Sequence, residues 1–558
     1  MKFKVKQNLL IFPGIIVLIY YLINLTRIGF TSDDESATYT SRFLHENSIH
    51  QASKSLAEGT GRFYQEFFFT FSQIPYLVPK DQLLLSIGLN RAFQVVVFVI
   101  SVSWFVTKIF DRKILILTFS LMIFTVDLGG WYNALVSYPL WLSYGFAATF
   151  VSAGLLSSYL ERPRKGVAAL FLIVSLFSLL SYESHLFDLI IFLFVFLKQA
   201  GFHKQNFIAC LKLSKNLIIT YCVFIFIYLV TYWRFKSNYR GNYSGSEIGS
   251  LAPDTVIGTL LRESFRHSSI KYFLSTPLYG ININPINQVT NLFGGFISFL
   301  LMLTIILILL KLISRNRGKV RLDSSVTRQF ATELGCLLVV FVSPNILLAI
   351  SKKYQDSRDI SAYTTSLQSF VFLNLILAIY LNSGLRVFSK KGKFLSWTRF
   401  AYPSSVLLVL VLSSASIVQT GLNFRNLHEQ VRNTQIWELL KTNYPQIESS
   451  RQGLEIRSSS ISRITRSGDY QFWGYFLDSK DRNFLLEPSE EKYPYRVEAI
   501  LSDCGYVLIQ TTNETLVNIY TSENCRPKVL FTKTSSFEFS AEYVSYLKIA
   551  SKERFLFM

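Results

Sequence analysis

Cysteine is scarce in this chain, five in 558 residues, and histidine nearly so, with six. No Cys/His group has the spacing of a zinc site. Also absent are a Walker A loop, a glycine-rich dinucleotide fingerprint, a Gly-x-Ser-x-Gly elbow and a His-Glu-x-x-His helix. The chemistries those motifs carry therefore find no support. There is no internal repeat, heptad array or low-complexity tract. Charge is thin as well: 16% of residues are charged, and acids (36) are outnumbered by Lys and Arg (56).

Apolar residues fill the space that charge leaves. Half of the chain is hydrophobic and 15% is aromatic, with 49 Phe and 30 Tyr. That is too apolar for an ordinary soluble protein and too long for one small domain. The net charge of +20 is unevenly placed. Residues 1–421 hold 39 Lys and Arg against 19 acids, whereas residues 422–558 hold 17 of each. All the excess positive charge thus belongs to the apolar part, as cytoplasmic loops of a membrane protein would place it. Nucleic acid is not needed to explain it.

A bilayer crossing takes about 20 apolar residues. Eleven segments qualify: 8–26, 84–107, 114–131, 137–160, 166–182, 184–198, 216–233, 291–312, 331–350, 361–382 and 400–420. Basic residues orient them. With the N-terminus inside, the inner segments hold 24 Lys and Arg and three acids, Asp111, Glu161 and Asp323. A single span across 166–198 would invert everything downstream, which favours two helices there. Lys2, Lys4 and Lys6 before an apolar run resemble a signal peptide. That run continues to Leu25 without a small-residue cleavage site, so a retained anchor is expected. The expected fold class is an all-α polytopic membrane protein of about eleven transmembrane helices, N-in and C-out. Its transmembrane domain covers 1–421, with long outer loops at 27–83 and 234–290.

Residues 422–558 read as a separate extracytoplasmic α+β domain. A helical pattern runs from Leu427 to Leu440, and alternating or aromatic runs follow at Tyr470–Leu477, Tyr506–Gln510, Leu516–Tyr520 and Val529–Thr532. Cys504 and Cys525 lie there, where an oxidising compartment suits a disulfide. Cys210, Cys222 and Cys336 read as plain thiols of inner or membrane segments.

This map puts several acids at one outer face. Asp33, Asp34 and Glu35 follow the first span, Asp127 ends the third, and Glu183 with His185 occupies the turn between the fifth and sixth. A carboxylate deep in lipid costs roughly 2.5–3.5 kcal/mol on insertion scales, a cost that an interface or cavity relieves. Each also has a plain structural reading. Ser32-Asp33-Asp34-Glu35 is a possible helix N-cap, Asp127 a helix end before Gly129-Gly130, and Glu183 a partner for a nearby Arg or His185. Lys352, Lys353 and Arg358 sit in a short outer loop against the positive-inside rule. They suit either an anionic headgroup or the neighbouring Asp356 and Asp359. Arg91 falls in the outer third of the second span, where an arginine faces a cavity or snorkels. Arg62 lies in the first outer loop beside Phe63, Tyr64, Phe67, Phe68 and Phe71, an aromatic stretch suited to the membrane interface.

The N-in first helix, the long first outer loop opening with Asp33-Asp34, the aromatic segments of that loop, Asp127 and the outward tail together resemble the GT-C superfamily of integral-membrane glycosyltransferases. Within it, the chain is similar to bacterial enzymes that modify surface polysaccharides or lipids, including O-antigen glucosyltransferases. The resemblance covers roughly residues 1–420. It implies an enzyme of the bacterial inner membrane that takes a sugar from a polyprenyl-phosphate donor at the extracytoplasmic face. The sugar would pass to a glycan or lipid acceptor with inversion. Asp33 or Asp34 would serve as general base, with Asp127 as a further catalytic acid residue. Lys353 and Arg358 would stabilise the departing phosphate. Glu35, Arg62, Arg91, Glu183, His185 and Lys352 are the remaining candidate substrate-binding residues. Some members of the superfamily take a divalent cation (Mg or Mn) and others none. No Asp-x-Asp stands in the second outer loop here, and no metal ligand is assigned.

Two alternatives stay open. An O-antigen polymerase or ligase would place weight on Arg240, Arg262, Arg266 and His267 of loop 234–290 and use a polyprenyl-pyrophosphate glycan. A lipid or polysaccharide transporter would show charges lining a path in mid-helix, with a repeated half.

Overall fold

The computed structural model describes residues 12–28, 49–128, 133–136, 141–237, 247–279, 324–357, 362–388, 407–423 and 427, and six short strands between 454 and 532. Asp33, Asp34, Glu35, Arg358, Cys504 and Cys525, the span at 291–312 and all but Leu427 of the 427–440 pattern lie outside the described residues. Two compact units result. One holds residues 1–26, 50–72 and 89–427; the other holds 27–49, 73–88 and 428–558.

The first unit is helical, because its apolar runs bury side chains while each helix satisfies its own backbone. Ten of the eleven expected segments fall on described residues, and each carries helix. In chain order the helices are α1 (Phe12–Leu25), then α2 (Ile49–Thr60) and α3 (Tyr64–Ser72) of the first loop, α4 (Lys80–Ile109), α5 (Arg112–Thr125), α6 (Trp141–Glu161) and α7 (Lys165–Ser181). There follow α8 (Asp188–Gln199), α9 (Lys204–Leu213), α10 (Lys215–Ser237), α11 (Pro253–Phe265), α12 (Ser324–Val342), α13 (Ile346–Ile350), α14 (Lys352–Asp356), α15 (Ser366–Phe388) and α16 (Leu407–Asn423). Among the described residues, three stretches are long and apolar enough to cross a bilayer: Gln82–Ile109, Lys215–Ser237 and Gln329–Ile350. Residues 183–199 and 204–213 form a further apolar pair bent by 120°. Gly201 and Phe202 make that bend with φ of +61° and +59°, the left-handed region that glycine enters freely.

The expected split of 166–198 is present. α7 ends at Ser181, a 3₁₀ turn runs from Glu183 to Phe187, and α8 begins at Asp188. α6 and α7 lie close together, and a Cβ at Gly145 would overlap Ser181 Oγ. Beneath that contact, Asp188 Oδ2 accepts from Thr149 Oγ1 (2.6 Å) and Ser178 Oγ (2.9 Å). Gln368 Nε2 donates to Asp188 Oδ1 at 3.0 Å. One buried carboxylate thereby ties α6, α7, α8 and α15 together. Satisfying its acceptors in this way is what makes burial of such a group tolerable.

The expected span at 331–350 is interrupted. Pro344 lacks the N–H that would continue the ladder, and α12 yields to a 3₁₀ turn at Ser343–Asn345 before α13 resumes. Asn345 fastens the break. It accepts from Thr365 Oγ1 (2.5 Å) and donates to Ser369 Oγ (2.8 Å) and Ser264 Oγ (3.2 Å).

In the second unit, six strands form one sheet in the order β2-β1-β3-β4-β5-β6. They are β1 (Leu454–Ser458), β2 (Phe484–Leu485), β3 (Tyr495–Ile500), β4 (Tyr506–Thr511), β5 (Thr515–Ile519) and β6 (Lys528–Thr532). β1 runs parallel to both β2 and β3, while β3 to β6 form an antiparallel meander. The last three strands coincide with expected runs. Tyr470–Leu477 lies outside the described residues.

Candidate functional site

Two charged clusters stand out in the helical unit. The first joins the first loop to the turn between α7 and α8. The chain leaves α2 through Gly61, whose φ of +71° makes the corner, and this sets Arg62 and Tyr64 beside Glu183. Arg62 Nε donates to Glu183 Oε1 at 2.6 Å, and the Tyr64 hydroxyl donates to Glu183 Oε2. The guanidinium also sits over the Tyr182 ring, 5.5 Å from its centroid. Tyr64 stacks on Tyr228 of α10 at 6.5 Å, and Tyr228 stacks on Tyr232 at 6.1 Å. Burial, with the adjacent Glu183 charge, holds the Tyr64 phenol well above its ordinary pKa, so it stays a donor.

This cluster lines an open cleft of about 140 Å³. Arg62, Tyr182 and Glu183 form one wall with Tyr232. Leu347, Leu348 and Ile350, just after the break at Pro344, line the cleft as well. Glu247 and Ile248 close the third side, where Ile248 bridges Ser351 and Lys352 N donates to Glu247 O at 3.0 Å. Lys352 Nζ lies 3.5 Å from Glu247 Oε2, with both side chains at least half exposed. Lys353 lies over the Tyr354 ring at 5.5 Å.

The second cluster is sealed. Asp127 and Lys271 form a buried ion pair whose side chains are 5% and 1% exposed. Lys271 Nζ also donates to the Arg266 carbonyl at 2.7 Å, and Gln419 Nε2 donates to Asp127 Oδ1 at 3.2 Å. Asn133 Nδ2 donates to the Asp127 carbonyl at 2.6 Å. Asn423 holds the backbone on either side, donating to Val126 O (2.7 Å) and accepting from Leu128 N (2.9 Å). Arg266 pairs with Glu263 at 2.8 Å. His267 lies between Ser366 Oγ (2.6 Å) and Asn133 Oδ1 (3.4 Å). Burial first, then the Lys271 charge, hold its pKa well below the ordinary imidazole value.

Of the candidate residues, then, Arg62 and Glu183 meet directly, and Lys352 stands at the mouth of the same cleft. Asp127 belongs to the sealed cluster. Arg91 turns inward, where its Nε donates to the Val136 carbonyl at 2.9 Å and Gln94 Nε2 donates to Leu135 O at 3.0 Å. His185, two residues from Glu183, is buried in the Asp188 network with Nδ1 3.1 Å from Asp188 Oδ2. Lys271, Tyr232 and Glu247 were not singled out from the sequence. Lys271 carries the same signal as Lys352, a basic residue in an outer loop, and Tyr232 stands one turn from Tyr228. Among the described residues no group of three His, Cys, Asp or Glu is placed to hold a metal ion.

No family model matches the chain, and no curated protein sequence does. A solved structure that it resembles is the archaeal oligosaccharyltransferase AglB from Archaeoglobus fulgidus, in complex with an inhibitory peptide and a dolichol-phosphate. The likeness covers 88% of this chain and 70% of that one at 10% identity, with a TM-score of 0.32, too low to establish a shared fold.

Proposed function

We propose that this protein is a membrane glycosyltransferase of GT-C type, with eleven crossings and its reaction at the extracytoplasmic face of a bacterial inner membrane. The observation that carries the reading is the junction of the first loop with the open cleft. Arg62 and Tyr64, from the loop that begins with Asp33-Asp34, grip Glu183 at the cleft wall. A sugar on a polyprenyl phosphate is the proposed donor, and a glycan or lipid hydroxyl the acceptor. Asp33 or Asp34 takes the acceptor proton as the new glycosidic bond forms with inversion and the lipid phosphate departs. Lys353 and Arg358 favour that phosphate electrostatically, and Asp127 holds the adjoining loop in place through Lys271.

Membranes bearing Asp33→Asn or Asp34→Asn test this. At equal protein level, at least one variant is expected to lose transfer of radiolabelled sugar from polyprenyl phosphate by 10²-fold or more, as loss of a general base does. Full activity in both removes the first-loop base.

A further inference from the structure

The cleft at Glu183 has a lining that selects among ligands. Its two carboxylates, Glu183 and Glu247, are each matched to a cation: Arg62 at 2.6 Å and Lys352 at 3.5 Å. Arg62, which lines the cleft, and Lys352 at its mouth are thus each engaged by a carboxylate, and an anionic phosphate at either would have to displace one. Tyrosine rings, by contrast, are abundant. Tyr182, Tyr232 and Tyr354 line the space together with Ser184, Ser351 and Thr365. Flat ring faces beside carboxylate acceptors match a pyranose ring, which offers C–H faces and a rim of O–H donors. At the mouth, Glu247 and Lys352 are 50% and 60% exposed, so entry is from water.

We infer that this cleft binds a neutral, hydroxyl-rich glycan, the acceptor of the transfer, and that the phosphate-bearing donor occupies a different place. This rests on the glycosyl-transfer reading above. In the bound state, Glu247 and Glu183 accept hydrogen bonds from sugar hydroxyls, and Tyr232 lies against its face. Glu247 is at the surface and its replacement leaves the packed core untouched, whereas Tyr232 reports the ring contact.

The test uses the full-length protein in nanodiscs, with saturation-transfer NMR titrations of maltose, lactose and cellobiose as neutral probes and glucose 1-phosphate as the anionic one. At least one neutral disaccharide is expected to bind the wild type. Y232A and E247Q should each weaken it about tenfold, the size of one hydrogen bond or ring contact to a sugar. Glucose 1-phosphate should show no cleft-dependent signal in the wild type and gain one in E247K. Absence of binding by every neutral probe, or neutral binding that neither Y232A nor E247Q alters, overturns the inference. So does glucose 1-phosphate binding that Y232A removes. Transfer lost in Asp33→Asn or Asp34→Asn membranes with sugar binding unaltered by Y232A and E247Q would leave the enzyme reading intact and remove only the cleft assignment. Cleft-dependent sugar binding in a protein without transferase activity would do the reverse.

Discussion

Asp127 with Lys271 and Glu183 with Arg62 are built from the same chemistry, a carboxylate against a cation, and differ in access to solvent. The first pair is 5% and 1% exposed, and the second 12% and 15%, beside an open cleft. Burial decides what each can do. A sealed pair cannot exchange partners without stranding a charge, so it fixes geometry. A pair at a cleft wall can share its carboxylate with an incoming hydroxyl. The same residue types, read from sequence as one outer cluster, thus divide into a sealed pair and a pair beside an open cleft.

Asp127→Ala should expose the contrast most sharply. It leaves Lys271 charged in a site with little water, and breaking such a pair costs about 3–5 kcal/mol. The expected outcome is a large fall in thermal midpoint of the full-length protein in detergent, measured by intrinsic fluorescence. Replacing both partners with apolar residues (D127L/K271M) should recover most of it. Failure of the double variant to recover would mean that the remaining contacts of the cluster, not the charge pair, dominate. Glu183→Gln comes next. It keeps an acceptor for Tyr64 and loses the charge opposite Arg62, worth about 1.5–3 kcal/mol for a hydrogen bond to a charged group. A loss equal to that of Asp127→Ala would erase the distinction between the two clusters.

His267 supplies a pH test of the sealed cluster alone. Its folded pKa lies well below the ordinary value, through burial first and the Lys271 charge second. The unfolded chain therefore takes up the proton first, and stability is lost as pH falls below about 6.5, by up to about 1.4 kcal/mol per pH unit. Thermal midpoints between pH 8 and pH 5 should show this slope in the wild type and a shallower one in His267→Gln; equal slopes would assign the pH dependence elsewhere. Lys352→Ala is the smallest change. The exposed pair with Glu247 contributes about 0–1 kcal/mol, so a midpoint within experimental scatter is expected, and a large drop would show that the 247–352 bridge is structural.

Helices were the most legible part of the sequence, because a run of about 20 apolar residues has few alternatives near a bilayer. The division of 166–198 was legible through charge bias alone, and the turn at Glu183–Phe187 stands where that argument needs it. The interruption at Pro344 was not, since residues on both sides stay apolar and only the proline marks it. β1 and β3 were missed although Leu454–Ser458 and Tyr495–Ile500 alternate apolar residues with Glu and Arg, because five or six residues give a period-2 pattern little weight among polar neighbours. The partners of the candidate site residues were hidden for a different reason. Arg62 and Glu183 are 121 residues apart, and Asp127 and Lys271 are 144 apart. No local period records pairings at such distance. For Arg91, the sequence left a cavity or snorkelling to headgroups open and gave no hint that a backbone carbonyl, Val136 O, receives it.

The separation of Asp127 from Lys271 also sets a schedule for synthesis. Ribosomes add about 5–20 residues per second, so the 144 residues between them take roughly 7–30 s. Throughout that interval Asp127 stands at the end of α5 without its cation, among the more costly residues to leave near lipid. An insertion machinery or a chaperone that shelters the α5 terminus has that long in which to act, and slowing translation between Asp127 and Lys271 lengthens the exposure in proportion.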